Sequence, residues 1–398
     1  MKSSPPSNLP QHLTRDWQSL WQSSLYMQIP VALWRLPNST EKHFIAQRTG
    51  ATKQCYPNLA ELKSGFVVSP FHNPELQQTY FIESQIHLSS LRGCLQGEAL
   101  LEAWISEINS TDTSGALLPQ FTENQDFSNK NCRQKHLDLV TKGVQAIQAG
   151  AFEKVVLSRQ KFIDLPENYD VLTLFEELSQ AYPNAFISLF SLPSVGVWLS
   201  ATPETLISTN ENTHTFRTVA LAGTQARHDK PLSQTSWTQK EIEEQALVCR
   251  YIVGCFKKIR LREYTETGPR TVPAGNLLHL RSDFEVDMLD TNFPTLGTTM
   301  LELLHPTSAV CGMPKIPATA FILENEGYNR GFYSGFLGPV NFEGQSEIFV
   351  HLRCMQLFEQ KAVLYAGGGV TADSDPEREW QETELKCQTL GKVIEKTF

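Results

Sequence analysis

The chain has 398 residues, of which 40% are hydrophobic and 19% are charged, and its formal net charge is −9. This composition is typical of a soluble globular protein, and the acidic balance argues against a nucleic-acid-binding protein, which needs a basic face. No apolar run approaches the length of a membrane span, and the N-terminus lacks the apolar core of a secretory signal. The eight cysteines form no CxxC pair, so we expect a cytoplasmic protein with reduced thiols and without a zinc site.

The first 132 residues predict structural elements but no chemistry. Residues 1–15 are rich in proline, serine, asparagine and glutamine, and we expect a disordered tail there. From 29 to 106, short apolar runs alternate with turn residues, which is typical of strands. The polar stretch 108–132 is interpreted as a surface connection. A helix before the strands is predicted by apolar side chains at helical spacing, namely Trp17, Leu20, Trp21 and Leu25.

The next segment predicts a helix that stops at Gly150 and a strand that runs from Lys154 to Ile163. A lysine on a strand usually extends its ammonium group to solvent, and this is one interpretation of Lys154. The alternative is a desolvated lysine whose lowered pKa allows it to take a proton from water. The spacing alone leaves both interpretations open.

A meander of three strands is predicted between residues 186 and 222, and Glu204 follows Pro203 in the middle strand. A glutamate that faces the interior is costly unless it is paired or protonated. A raised pKa would suit such a side chain as a general acid. Gly223 and Thr224 end the third strand.

Residues 240–259 predict a helix with an apolar stripe, and Glu241 and Glu244 lie three residues apart beside that stripe. A later helix is predicted to end at His305, which is either a normal charge at a helix C-terminus or a polar group in a pocket. Arg353 lies in the predicted strand 347–358. Its guanidinium can present a bidentate fork to a carboxylate ligand or pair with a structural acid.

The clearest pattern is YAGGGVTADSDPEREWQETELK, from Tyr365 to Lys386. The three glycines 367–369 predict a nest of backbone N–H groups that binds an anion. Asp375 and Pro376 are typical of the N-cap and the first position of a helix.

On that helix, Glu379 and Glu382 share one face with Lys386. Glutamates at this spacing are usually just a solvated helix face. A second pair on another helix favours a metal site instead, because Mg²⁺ is usually held by carboxylates, substrate oxygens and water.

From about residue 130 to its end, the chain resembles the chorismate-utilising enzymes, and within them the isochorismate synthases. Residues 1–130 resemble this family only weakly. The resemblance is carried by nine stretches in order: FEKVVLSR (152–159), SATPETL (200–206), ALAGT (220–224), KEIEEQ (240–245), LLHPTSAVCGMP (303–314), ENEGYNRGFYSG (324–335), LRC (352–354), YAGGGV (365–370) and EREWQETELK (377–386).

The resemblance implies an α/β (α+β) fold in which two antiparallel β-sheets are sandwiched and flanked by helices, with the site between them. It implies one domain over residues 16–398, with a variable half (16–130) and a half that carries the motifs (131–398). Mg²⁺ would be held directly by Glu241 and Glu382, and through water by Glu244 and Glu379. The ring carboxylate of chorismate would lie on this Mg²⁺.

The resemblance also implies how chorismate is bound. Arg353 and the N–H groups around Gly368 and Gly369 would meet its enolpyruvyl carboxylate, and Lys386 would lie near the metal. The other residues implied to line the pocket are Gly223, Thr224, His305, Thr307, Ala309, Val310 and Tyr365.

In the implied reaction, Lys154 takes a proton from water that attacks C2, and Glu204 gives a proton to the departing C4 hydroxyl. The product would feed menaquinone or siderophore biosynthesis. Anthranilate synthases usually have glutamine at the position of Lys154, and aminodeoxychorismate synthases have lysine at that of Ala222. An amination reaction is therefore disfavoured, and we expect no glutamine amidotransferase subunit.

Two alternatives remain open. Salicylate synthases share Lys154 and Glu204 in type and go on to eliminate pyruvate; Ala309 and Val310 weakly favour the isochorismate synthases. A catalytically inactive relative is suggested by Gln245, because the family's KExxEH motif has histidine there. For the oligomeric state we expect a monomer or a weak dimer.

Overall fold

The computed structural model describes residues 11–110, 118–120, 131–167, 169–226, 232–274 and 277–398. Two short 3-10 helices span Pro74–Leu76 and Leu232–Gln234. The described residues also form eight α-helices: α1 (Gln11–Tyr26), α2 (Glu98–Ser110), α3 (Cys132–Gln148), α4 (Val171–Ala181), α5 (Gln239–Lys258), α6 (Leu296–Leu304), α7 (Lys315–Asn325) and α8 (Pro376–Thr397).

The strands form two sheets, and neighbouring strands with a recorded register are antiparallel. Sheet A has the spatial order β15 (Gly312–Met313), β8 (Lys154–Asp164), β19 (Lys361–Val370), β18 (Cys354–Leu357), β10 (Gly196–Thr202), β9 (Phe186–Leu192), β1 (Val31–Arg35), β2 (Lys42–Ala46), β6 (Ile86–Ser89) and β7 (Gly93–Gln96). Sheet B has the order β13 (Thr265–Ala274), β14 (Leu277–Asp287), β12 (Thr215–Ala226), β11 (Thr205–Asn210), β17 (Gln345–Val350), β16 (Phe336–Val340), β4 (Gly65–Ser69), β5 (Thr79–Glu83) and β3 (Lys53–Cys55).

The two sheets pack face to face through aromatic side chains, as the resemblance implied. Phe186 of sheet A stacks on Phe349 of sheet B with ring centroids 4.1 Å apart. Trp34 of sheet A contacts Phe66 of sheet B in the same core. Burying a large apolar side chain stabilises the fold by roughly 1.5–3 kcal/mol, so this layer fixes the sheets against each other.

Helices cover the outer faces of both sheets. A core cluster joins α1, α2, α4 and α8 to sheet A, with Trp104 and Phe175 among its buried side chains. A second cluster joins α5 and α6 to sheet B through Phe256 and Leu301. Among the described residues, no helix is both long and apolar enough to span a bilayer, and no disulfide is present.

The chain crosses from one sheet to the other at two places that the sequence predicted as continuous strands. β10 ends in sheet A at Thr202 and β11 begins in sheet B at Thr205. Proline cannot donate to a strand ladder, so Pro203 ends the first pairing. The prediction of Glu204 within a middle strand is therefore wrong, because Glu204 lies at the crossing.

Arg353 lies at the second crossing, between β17 of sheet B and β18 of sheet A. Its φ of 46° is in the left-handed region, so the predicted strand through Arg353 is also wrong. The two crossings are hydrogen-bonded to each other. The Val350 N–H donates to the Glu204 carbonyl and the Ala201 N–H donates to the Arg353 carbonyl, each over 2.9 Å. The fold thus brings Glu204 and Arg353 together where the sheets meet.

The N-terminal region differs from the prediction in two further ways. Residues 11–15 belong to α1, so the predicted disordered tail is wrong for them, and residues 1–10 lie outside the described residues. Helix α2 was missed among the predicted strands; its Trp104 is buried and donates to the Ser23 hydroxyl over 2.9 Å. Most of the predicted connection 108–132 lies outside the described residues.

Candidate active site

Lys154 is the first residue of β8 and is buried, with 5% of its surface exposed. Its Nζ lies 3.1 Å from Oε1 of Glu244 on α5. The interpretation that Lys154 extends to solvent is therefore wrong. Gly369, which pairs with Val156, makes room for this side chain, because a Cβ on Gly369 would lie 2.9 Å from Lys154 Cε.

The three glycines 367–369 are strand residues of β19, paired with β8, and they are not among the residues with positive φ. The predicted anion nest is therefore wrong in its geometry. The glycines instead provide space. A Cβ on Gly368 would lie 2.8 Å from Glu379 Oε2, and one on Gly367 would lie 2.8 Å from the Tyr333 hydroxyl. Each missing side chain lets a functional group from another element approach the strand.

Helix α8 begins as predicted, with the Asp375 carboxylate accepting a hydrogen bond from the Arg378 N–H and with Pro376 in the first turn. Glu379 in this turn is only 4% exposed and accepts a hydrogen bond from the Ser374 hydroxyl over 2.8 Å. Since the helix start, the cap and this bond act together, the position of the Glu379 carboxylate is built into the fold.

One turn further along α8, Glu382 and Lys386 form an ion pair with Oε1 and Nζ 2.6 Å apart. Lys386 also donates to the Gly367 carbonyl over 2.7 Å. The lysine therefore ties the carboxylate side of α8 to the glycine run of β19.

Helix α5 presents its two carboxylates in a different way. Glu241 belongs to a capping box, in which it accepts hydrogen bonds from the Thr238 N–H, over 2.8 Å, and from the Thr238 hydroxyl. The helix start packs on the end of β12, where Gly223 has a φ of 56° and a Cβ would lie 3.1 Å from Glu241 Cβ. The register shifts between Ala222 and Thr224, so Gly223 forms a bulge that admits α5.

Carboxylates of both helices reach adjacent residues of one strand. Glu379 and Glu382 lie at Gly368, and Glu244 lies with Lys154 at Gly369. Within the described ranges, no group of three or more His, Cys, Asp or Glu side chains is arranged to hold a metal ion.

The donor chemistry of these carboxylates nevertheless suits one kind of ion. A set of carboxylate oxygens without thiolate or imidazole is what a hard cation such as Mg²⁺ prefers. Glu241 and Glu244 are held by a cap and by an ammonium group, which are contacts that a divalent cation can replace. The residues therefore fit Mg²⁺, provided that the α5 carboxylates turn toward α8.

Glu204 and Arg353 lie at the two crossings between the sheets, and the charge of each affects the pKa of the other. Burial raises the pKa of the Glu204 carboxyl to about 7, against the opposing effect of Arg353, Lys154 and Lys386. Burial also lowers the pKa of the Arg353 guanidinium. The part of the chain that the structure describes offers this guanidinium no hydrogen-bond acceptor. Glu382 and Glu204 lie near enough to act on Arg353 through their charges, and its guanidinium can offer a bidentate fork to an anionic ligand.

A small cavity of about 20 Å³ brings Glu204 together with Thr307 and Ala309. This volume holds roughly one water molecule. The hydroxyl oxygens of Thr307 and Ser308 are buried and have no hydrogen-bond partner among the described residues. The Thr307 hydroxyl, which lines the cavity, can therefore bind a water molecule or a ligand hydroxyl beside Glu204.

His305 ends α6, but it is not a charge at the helix terminus. It is buried, its ring packs edge-on against Phe336 at 4.9 Å, and burial lowers its pKa to about 3. Lys315 supplies the positive charge, because its ammonium group donates to the carbonyls of Leu303 and His305. The interpretation of His305 as a helix-end charge is wrong, because its ring is buried and neutral.

Tyr365 lies in the aromatic core between the sheets. Its ring stacks on Trp198 at 5.3 Å and on Tyr333 at 5.5 Å. The hydroxyl that the structure brings to the glycine run is that of Tyr333. A contact of Tyr365 with substrate, as the resemblance implied, stays a prediction.

Sequence reasoning missed His279 of β14. This residue pairs with Thr224 in the sheet and is buried. Burial lowers its pKa to about 4, and the nearby charges of Arg353 and Lys386 act in the same direction. Its position among the site residues depends on the β12–β14 pairing, which a lone histidine in an apolar run does not reveal.

Gln245 bonds to the strands of sheet B. It is buried at 3% exposure, accepts from the Ala222 N–H over 3.0 Å, and donates to the Ala220 carbonyl and the Ser282 hydroxyl. A carboxamide both donates and accepts, so it matches the free backbone groups of β12. Gln245 therefore holds α5 on sheet B.

These residues form a candidate ligand site with paired carboxylates, a buried lysine and an arginine, in a protein of two sandwiched antiparallel sheets. The family model described as a chorismate binding enzyme matches residues 60–395. The chain therefore belongs to the chorismate binding enzyme family.

Two relatives are isochorismate synthases by name. EntC of Escherichia coli strain K12 is 31% identical over 248 residues, which are 61% of this chain and 62% of that relative. DhbC of Bacillus subtilis strain 168 is 31% identical over 271 residues, which are 64% of this chain and 66% of that relative. The chain thus matches a little under two thirds of the length of each.

The solved structure of MenF, the menaquinone-specific isochorismate synthase of Escherichia coli, superimposes with a TM-score of 0.72. The alignment covers 95% of this chain and 91% of MenF at 21% identity. This likeness shows a shared fold.

Proposed function

We propose that this chain is an isochorismate synthase, which converts chorismate to isochorismate by adding water at C2 and releasing the C4 hydroxyl as water. One observation carries the proposal. A buried lysine and a glutamate with a pKa of about 7 occur in the same site. A base and an acid of this kind suit a reaction that takes one proton from water and gives one to a leaving hydroxyl.

Lys154 is the base in this proposal. Its unprotonated Nζ takes a proton from a water molecule as the water oxygen forms a bond to C2. Gly369 supports the role because it lets the lysine side chain lie against the strand and out of bulk water.

Glu204 is the acid. As the C4–O bond breaks, its carboxyl gives a proton to the departing hydroxyl, and the ring double bonds shift toward C4. One water enters and one leaves, so the reaction is an isomerisation with no net change in atoms. The cavity beside Glu204 supports this role, because it has room for about one water molecule next to the acid.

Arg353 and a Mg²⁺ ion held by the carboxylate pairs would bind the two carboxylates of chorismate. The Arg353 guanidinium binds the enolpyruvyl carboxylate. Glu241 and Glu382 would hold Mg²⁺ directly, and Glu244 and Glu379 would hold it through water. The bound Mg²⁺ would supply positive charge for the ring carboxylate. Thr307, Ala309 and the neutral His305 would line the ring.

The test is product analysis after the purified protein is incubated with chorismate and Mg²⁺. We expect isochorismate as the accumulating product, detected by NMR, and no product when a chelator removes Mg²⁺. Lys161→Ala is the matched control for Lys154→Ala, because both lysines lie on β8 and Lys161 pairs with Glu384 away from the site. Salicylate with pyruvate as products, or no turnover of chorismate, would overturn the proposal.

A further inference from the structure

Among the described residues, the strand that carries Lys154 has no partner strand along part of one edge. β8 pairs with β19 from Val155 to Asp164, whereas β15 pairs only with Lys154 and Val155 on the other side. Beyond β15, the backbone groups of Val156 and Ser158 that face this edge need other partners, because buried N–H and C=O groups are costly when unpaired.

Two charged side chains and one carbonyl supply these partners. Arg330 donates to the Val156 carbonyl over 2.7 Å. Glu326 accepts from the Ser158 N–H over 2.8 Å and from its hydroxyl over 2.9 Å. The Val156 N–H donates to the Cys311 carbonyl over 2.9 Å. The side chains of Glu326 and Arg330 thus continue the hydrogen-bonding pattern of a strand where β15 ends.

Arg330 also reaches the segment that carries the predicted ring wall. A second guanidinium nitrogen donates to the Val310 carbonyl over 2.8 Å. The side chain of Arg330 is 2% exposed and that of Glu326 is 1% exposed, and the two form a bidentate ion pair. The guanidinium lies over the Phe71 ring at 4.3 Å, which fixes its plane. One planar group therefore connects β8 to the segment of Thr307, Ala309 and Val310.

We propose that Arg330, oriented by Glu326, is a positioning residue that sets the distance between Lys154 and the ring wall at Val310. This inference rests on the proposed function. It follows from spacing along the chain, because Val156 is two residues from Lys154 and Val310 is next to Ala309. Lysine at position 330 keeps the charge but cannot donate to two carbonyls and a carboxylate in one plane.

The first test compares Arg330→Lys with Arg35→Lys. Arg35 is a matched control, because it is also buried and donates to backbone carbonyls, those of Leu36, Ser39, Tyr182, Pro183 and Ala185. We expect Arg330→Lys to lower kcat by about 10²-fold, which a misplacement of about 1 Å can cause, with the KM for chorismate changed less than twofold. Arg35→Lys should leave kcat per folded molecule unchanged. Equal losses in both variants, or a rise in KM alone, would overturn the proposal.

A double-mutant cycle measures the coupling between Arg330 and Lys154 in kcat, which a loss of stability alone does not change. If Arg330 acts through Lys154, Lys154→Ala should cost at least tenfold less in the Arg330→Lys background than in the natural chain, because the same interaction is already impaired. Independent, multiplying effects would contradict a role in positioning the lysine.

Hydrogen exchange of the backbone separates this inference from the proposed function. Without substrate, the Ser158 amide should exchange at least tenfold faster in Arg330→Lys and at the natural rate in Arg35→Lys. Glu326→Gln keeps an acceptor oxygen, so the Ser158 exchange rate should increase less than in Arg330→Lys. This variant replaces Arg330→Lys in the test if Arg330→Lys does not fold. An unchanged Ser158 rate in both variants overturns the positioning role. If the natural chain does not turn over chorismate, the proposed function is overturned. The exchange rate of Ser158 then decides by itself whether Arg330 positions β8.

Discussion

The helices α5 and α8 each carry a pair of glutamates, but they hold them differently. On α8, Glu379 is buried beneath the glycine run and bonded to Ser374. On α5, Glu241 folds back onto its own N-cap, and Glu244 is paired with Lys154 while 37% of its side chain stays exposed. The Glu379 carboxylate is built into the fold, whereas Glu382 on α8 and both glutamates on α5 are held by contacts that a ligand can replace.

The free energies of the contacts that hold Glu241 and Glu244 are small enough for a bound cation to replace them. An N-cap contributes about 1 kcal/mol to helix stability, and the ion pair of Glu244 with Lys154 is partly screened by water because 37% of the Glu244 side chain is exposed. Both are small compared with the interaction of several carboxylates with a divalent cation. We infer that Glu379 is a preformed part of the proposed metal site and that Glu382, Glu241 and Glu244 complete the site when Mg²⁺ and substrate bind.

Loss of the base should have the largest effect. General acid–base groups contribute typically about 10²–10⁴-fold to the rate, so we expect Lys154→Ala to lower kcat by about 10³-fold. The variant also releases Glu244 from its ion pair with Lys154, so saturating Mg²⁺ is used to keep metal binding from limiting kcat. Steady-state kinetics with saturating Mg²⁺ is the measurement. A variant that keeps more than a tenth of the natural kcat would show that another group is the base.

The metal ligands come next. Glu382→Gln on α8 and Glu241→Gln on α5 should each weaken Mg²⁺ binding by at least about tenfold, because each removes a charged oxygen donor. Calorimetric titration with Mg²⁺ gives the affinity directly. Glu243→Gln is the control on α5, since Glu243 is exposed and bonded only to Gln239 in the described structure. Unchanged affinity in either ligand variant would remove that helix from the metal site.

The pH dependence of kcat reports on Glu204. An acid must be protonated to act, and burial raises the Glu204 pKa to about 7. The carboxyl is therefore mostly protonated below pH 7 and mostly ionised above it, so kcat should fall as the pH rises through 7. Glu204→Gln should remove this alkaline limb together with most of the activity. An alkaline limb that persists in Glu204→Gln would assign it to another group.

Thr238→Val sharpens the comparison between the two helices. The variant removes the hydroxyl that holds Glu241 in the capping box, which should lower the free energy of unfolding by about 1 kcal/mol. Because the Thr238 hydroxyl no longer competes with Mg²⁺ for the Glu241 carboxylate, Mg²⁺ affinity should be unchanged or a few-fold tighter. Urea unfolding and calorimetric titration measure the two effects. Weaker Mg²⁺ binding would mean that the cap positions Glu241 for the metal.

The smallest effect is expected for Gln245→His, which restores the residue typical of the family motif. Gln245 contacts β12 and β14, so Mg²⁺ affinity should change less than twofold. Gln245→Leu should instead cost about 1–3 kcal/mol of stability, because it leaves the Ala222 N–H buried without an acceptor. A large gain in Mg²⁺ affinity in Gln245→His would show that the substitution weakens the natural site.

Local patterns were enough to predict the helices of the site. The apolar stripe of α5 and the Asp375–Pro376 start of α8 depend on residues within a few turns, so the sequence reveals them. The same holds for the glutamate pairs, whose spacing places each pair on one helix face.

Features that depend on strand pairing could not be predicted in this way. A chain that passes from sheet A to sheet B keeps the same apolar alternation, so the crossings at Glu204 and Arg353 were predicted as continuous strands. The glycines of β19 were interpreted as an anion nest because their purpose, space for Lys154 and Glu379, depends on elements distant in sequence. His279 was missed for the same reason.

The central claim is that water activated by Lys154 supplies the oxygen at C2, and isotope labelling tests it most directly. The natural chain is incubated with chorismate and Mg²⁺ in H₂¹⁸O, and the isochorismate formed is examined by mass spectrometry and NMR. We predict one ¹⁸O atom per molecule, located at C2, in every molecule formed. Isochorismate without the label would mean that the hydroxyl moves within the substrate, and it would contradict the roles given to Lys154 and Glu204.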